Sequence, residues 1–131
     1  MQFNITTDYA IRTMLYIGDS KDRVIAEDIS KNMVIPLNNV RKILQAMKRA
    51  ELVEPLQGHG GGYILSRPLS EITLGEVVDA IGEKRVINRC LESDCFCSRG
   101  AVETCKVRLL YGKIQDTMDE VFSITLDNLM E

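Results

Sequence analysis

Apolar residues in the first half of the chain recur at helical rather than strand spacing. From Thr7 to Gly18, the residues Ala10, Ile11, Met14, Leu15 and Ile17 share one face, and Gly18-Asp19-Ser20 supplies a stop. A short second helix is predicted over Ala26–Met33, with Ala26, Ile29 and Met33 as its stripe. Val34-Ile35-Pro36 then interrupts, because proline lacks the amide donor a helix interior needs. A third helix follows from about Leu37 to Ala50, with Leu37, Val40, Ile43, Leu44 and Met47 on its apolar side. Asn38, Arg41, Lys42, Gln45 and Arg49 project from the other side.

Two short helices, a tight turn and a polar-faced third helix read as a helix-turn-helix. Next come Leu52–Gln57 and Tyr63–Ser66, two extended segments flanking Gly58-His59-Gly60-Gly61-Gly62, which predicts a β-hairpin. No Lys-Ser/Thr follows these glycines, and a strand rather than a helix succeeds them, so they do not form a phosphate-binding loop. A hairpin directly after a helix-turn-helix is a wing, with Gln57 and His59 near its tip. His59 taken alone would also suit an exposed turn. Thr73-Leu74-Gly75-Glu76 has the form of a capping box opening a helix to about Ile81.

Residues 83–105 lose periodicity. From Lys106 onward Val107, Leu110, Ile114, Met118, Val121, Phe122, Thr125 and Leu129 predict one helix of some 25 residues. At about 1.5 Å per residue it would be roughly 37 Å long, too long to bury its apolar side on one small domain. A second copy of the chain is the expected cover. The predicted fold is mainly α with a small β-hairpin wing. Residues 1–82 form a winged helix-turn-helix DNA-binding domain, 83–105 a cysteine-rich loop and 106–131 a dimerisation helix.

Composition narrows the function classes. The 131 residues are 45% hydrophobic and 27% charged, the balance of a globular domain, and without Trp the core must rest on Ile, Leu, Val and Met. No apolar run reaches the roughly 18–20 residues of a membrane span, and Met1-Gln2-Phe3-Asn4 lacks the basic and apolar regions of a signal peptide. These features predict a cytoplasmic protein with no membrane partner. A net charge of −3 hides an asymmetry: residues 1–67 carry 9 Lys/Arg against 7 Asp/Glu, residues 68–131 carry 7 against 12. Between Ile29 and Ala50 stand Lys31, Arg41, Lys42, Lys48 and Arg49 without a single acid. A solvated polar face would also fit that run. Its single sign, and the Asn, Gln and Arg able to contact base edges, favour a local nucleic-acid face on an acidic protein. Asn38, Asn39, Arg41 and Lys42 are the expected groove contacts, with Gln57 and His59 from the wing.

Cys90, Cys95, Cys97 and Cys105 fall within sixteen residues of a polar stretch that offers little burial. In a reducing compartment such a cluster points to metal or redox chemistry rather than disulfides. Their spacing does not match the paired knuckles of a structural zinc site, and no Cys-x-x-Cys is present. An irregular loop carrying three or four thiolates suits an iron–sulfur cluster. If Cys95-Phe96-Cys97 is extended, its two thiols point to opposite sides and one is spare. A thiol sensor using Cys95 or Cys97 directly remains the alternative. An electron carrier or redox enzyme is disfavoured, because no nucleophile–base pairing is visible and the one histidine sits in a glycine turn.

Tyr9-Ala10-Ile11-Arg12, the third helix, the wing with Gly60-Gly61-Gly62-Tyr63-Ile64-Leu65, the cysteine loop and Ser123-Ile124-Thr125-Leu126 together resemble the IscR/NsrR-type family of bacterial winged-helix iron–sulfur transcription regulators. The resemblance spans essentially the whole chain. It implies a homodimer on double-stranded palindromic operator DNA and no enzymatic activity. It also implies regulation, by repression in the first instance, through a cluster that senses iron–sulfur status, redox change or nitric oxide. The cluster would be [4Fe–4S] ahead of [2Fe–2S]. By the same resemblance Cys90, Cys97 and Cys105 are ligands, Cys95 is the alternative middle ligand, and Asp8 of the partner subunit is the fourth. A first-turn carboxylate favoured by the helix dipole is the other reading of Asp8.

Overall fold

The computed structural model describes residues 2–129. Helix α1 runs over Ile5–Asp19, its first turn capped by the Asn4 side chain, which accepts the Thr6 amide at 2.8 Å. Helix α2 is Ala26–Met33 and α3 is Leu37–Arg49. Between them Val34 takes a left-handed conformation (φ 56°, ψ 54°), and Ser30 ties the turn by donating its hydroxyl to the Ile35 carbonyl at 2.6 Å. The polar and apolar faces of α3 divide as the spacing predicts: Val40, Ile43, Leu44 and Met47 are buried, while Asn38, Arg41, Lys42, Gln45 and Arg49 are exposed.

Strands β1 (Val53–Pro55) and β2 (Tyr63–Leu65) pair antiparallel with Glu54 opposite Ile64. The hairpin is anchored to the α1–α2 connection because Tyr63 exchanges backbone hydrogen bonds with Val24 at 2.8 and 3.0 Å. That approach requires glycine at position 62: its φ is +115°, and a Cβ there would lie 3.2 Å from the Val24 carbonyl oxygen. Helix α4 (Leu74–Ala80) opens with the expected capping box between Thr73 and Glu76. One core joins α1, α2, α3, the wing base and α4 through Met14, Ile29, Leu44, Met47, Leu52, Ile72 and Val77.

The last helix differs from its prediction. Helix α5 covers Lys106–Phe122, about 25 Å, and the helix does not continue over the expected 25 residues. At Ser123 the chain turns back, and Leu126 enters the core with no exposed surface. The Leu74 amide donates to Ile124 O and the Leu126 amide to Ile72 O, both at 2.9 Å. The turn satisfies α5's last carbonyls and buries Leu126, which a straight helix would carry away from the domain. Val107, Leu110, Ile114 and Val121 along α5 remain exposed.

Candidate nucleic-acid interface and cysteine loop

Five of the six residues expected at a groove are exposed: Asn38, Arg41 and Lys42 on α3, Gln57 in the wing and His59 at its tip. Asn39 is half-buried, so less of its side chain is free. Two residues that periodicity did not single out join this surface. Arg23 donates from Nη1 to the Gly61 carbonyl at 3.3 Å, bracing the wing tip from the α1–α2 connection. Glu27, in the first turn of α2, accepts from Arg41 Nη2 at 3.2 Å. No local signal in the sequence marks either pairing, since the partners are 38 and 14 residues apart.

The cysteine loop is organised by polar contacts rather than by burial. Arg89 forks onto the Asp94 carboxylate and holds it down to about pKa 2, which closes the turn between Cys90 and Cys95. Arg89 also lies over the Phe96 ring, 5.1 Å from its centroid. Arg108 of α5 donates from Nε to the Cys90 carbonyl at 3.2 Å. Gln115 clamps the segment ahead of the loop, accepting from the Ile87 amide at 2.9 Å and donating to Arg85 O at 2.8 Å.

The four thiols are free, Cys95 exposed and the others half-buried. Cys95 has φ 51° in a turn closed by its amide on Glu92 O, so the extended chain that would send the Cys95 and Cys97 thiols to opposite sides does not occur. Cys97 Sγ accepts the Ala101 amide at 3.4 Å, and this bond, with the Arg99 amide, lowers its thiol below the ordinary range. Cys105 caps α5, its Sγ accepting the Arg108 amide at 3.4 Å. Cys95 and Cys97 share an open concavity of about 500 Å³ with residues 100–104.

Soft thiols with backbone donors aimed at two of the sulfurs suit an iron–sulfur cluster chemically. Their positions do not yet form a cage: among the described residues no three Cys, His, Asp or Glu side chains converge. Asp8 is paired with Arg12, whose Nη1 also donates to the Met33 carbonyl at 3.1 Å at the end of α2.

Comparison with known proteins places this architecture. The profile of the Rrf2 family, described as iron-dependent transcriptional regulators, matches residues 3–131. The chain belongs to the Rrf2 family. Rrf2 proteins are transcription regulators rather than enzymes, bind DNA and are commonly dimers. The chain is 30% identical over 125 residues to the HTH-type transcriptional regulator IscR of Pectobacterium carotovorum, covering 93% of this chain and 74% of that one. It is 29% identical over 99 residues to the HTH-type transcriptional regulator NsrR of Oceanobacillus iheyensis, covering 72% and 67%. The structure of CymR, the global cysteine regulator of B. subtilis, superposes with a TM-score of 0.81 at 20% identity, covering 98% of this chain and 95% of that one. That likeness concerns the fold. The expected winged-helix architecture is thereby shown, and no helix among the described residues is long and apolar enough to cross a membrane.

Proposed function

We propose that this Rrf2 protein is a homodimeric, sequence-specific repressor whose grip on operator DNA is set by an iron–sulfur cluster held at the cysteine loop. The observation that carries the reading is the loop itself. Free thiols lie on the segment that connects α4 to α5 and is tied to α5 through Arg108 and Gln115, and α5 carries an exposed apolar face. In the reader domain α3 enters the major groove, with Asn38, Asn39, Arg41 and Lys42 at base edges and phosphates, and Gln57 and His59 flank it from the wing. Cys90, Cys97, Cys105 and Asp8 of the partner subunit would hold the cluster, with Cys95 the alternative thiol. A bound cluster supplies a centre labile to oxidants and nitric oxide. The protein's own part is to supply N–H donors to Cys97 and Cys105 and to link the loop to α5. Arg12 engages Asp8 through Oδ2, which leaves Oδ1 to serve as the ligand atom. Two copies meeting along Val107, Leu110, Ile114 and Val121 would pair two α3 helices for a palindromic site.

A second reading has its own support: the exposed Cys95 and the half-buried Cys97 line one open concavity, through which an oxidant could reach a thiol without any cluster. Iron and sulfide assays with visible absorbance on anaerobically prepared protein separate the two. The cluster reading expects Cys90→Ala, Cys97→Ala and Cys105→Ala each to lose the chromophore and Cys95→Ala to keep it. Asp8→Ala should alter the spectrum and hasten decay, because a lone carboxylate is a harder, more exchangeable ligand than a thiolate. Colourless wild-type protein whose operator binding still responds to oxidant would establish the thiol reading instead.

A further inference from the structure

Resting on the reading that α3 enters the major groove, we propose that Glu27 is a positioning residue for base recognition. It holds one edge of the Arg41 guanidinium, leaving the other to read a base pair and restraining Arg41 from stray phosphates.

The pair spans two helices, Glu27 Oε1 to Arg41 Nη2 at 3.2 Å, with side chains 57% and 55% exposed. An ion pair this open contributes little to folding, so stability does not account for it. The helix N-terminus tolerates an acid in the first turn of α2, but a carboxylate facing a polyanion weakens binding. The cost falls on a surface otherwise kept free of acids from Ile29 to Ala50. What the arrangement offers is discrimination. A guanidinium has five N–H donors, and one engaged by Glu27 leaves enough for a two-point contact with guanine O6 and N7. Orienting the fork in the free protein reduces the ordering required on binding. On a random duplex an unrestrained Arg41 would turn to the nearest phosphate. Paired with Glu27 it presents little net charge, so non-specific binding is penalised more than a matched base contact.

The test compares E27Q, which keeps size but removes the charge, with E27D, which keeps the charge but shortens the reach. Anisotropy titrations use the palindromic duplex that wild-type protein selects from a randomised pool, its single-pair variants, and a scrambled duplex. E27Q should bind the scrambled duplex about threefold more tightly per protomer, the effect of removing a like charge about 7 Å from a phosphate in water. Its salt slope should steepen by about one unit as Arg41 gains a phosphate. Discrimination at the base pair read by Arg41 should fall at least about threefold in E27Q and E27D alike, without tighter scrambled binding in E27D. In an R41A background E27Q should leave base choice unchanged. The proposal is overturned if E27Q strengthens both duplexes by one factor with base choice intact, or if its effect on base choice persists without Arg41. Wild-type protein that selects no sequence at all would overturn the groove reading itself, a separate outcome.

Discussion

Replacing Leu126 by alanine tests the return of the chain after α5. The side chain is fully buried, and removing a leucine to alanine in a core costs about 2–5 kcal/mol depending on how far the site collapses. Collapse is restricted here, because the backbone is pinned on both sides by Leu126 N–H to Ile72 O and Leu74 N–H to Ile124 O, each 2.9 Å. The upper part of that range, about 3–4 kcal/mol, is therefore expected. Urea unfolding followed by circular dichroism at one fixed protein concentration should show it as a midpoint lowered by about 1.5–2 M, taking a slope of about 2 kcal/mol per M. Fixed concentration matters because any dimer adds a mass-action contribution to stability. Leu129→Ala is the control: that side chain is 45% exposed, and its loss should cost no more than about 1 kcal/mol. Equal losses for the two variants, with an unchanged slope, would refute the docked terminus and restore a helix that runs past Phe122.

Two other perturbations follow from named contacts. Ile114→Asp with Val121→Asp puts charges on the exposed apolar face of α5, where the native residues are 41% and 49% exposed. Sedimentation should then show monomers and operator affinity should collapse, whereas a persisting dimer would locate the subunit contact elsewhere. Glu76 has its pKa lowered from 4.5, chiefly by the Arg67 guanidinium and then by the Thr73 amide. A depressed carboxylate contributes stability that is full above about pH 4.5 and lost as pH falls through the folded value, so stability should rise with pH across that window. Urea midpoints from about pH 3 to 7 should show this limb flattened in Glu76→Gln, and an unaltered limb would remove the capping box from the acid response.

The parts of the fold legible in the sequence were those whose cause is local. The boundaries of α2, the capping box at Thr73 and Glu76, and the division of α3 into buried and exposed faces each depend on residues within one or two turns. The same locality explains why the apolar period predicts some 25 residues for α5, which ends short of that at Phe122. Thr125 and Leu129 keep the helical period past Phe122, and nothing nearby announces that Ile72 and Leu74, some 50 residues earlier, offer backbone partners that compete with further helix. A periodic stripe specifies which residues share a burial environment, not that one uninterrupted helix supplies it. Leu126 is buried, but by returning to its own domain.

The candidate sites divide along the same line. The four cysteines are conspicuous because they are close in sequence, yet Cys95 lies in a left-handed turn that the alternation rule for extended chain cannot describe. Loop shape is set by the Arg89–Asp94 fork and by Arg108 and Gln115 reaching from α5, contacts that join residues of ordinary surface character. On the reading face, helical spacing brought out Arg41 but not Glu27, because their meeting depends on how α2 crosses α3. Side chains that touch the reacting or recognised group carry a compositional signature; those that orient them do not. The basic run therefore points to α3 as the proposed DNA-facing helix, while the pairing of Glu27 with Arg41 becomes visible only when two helices are placed side by side.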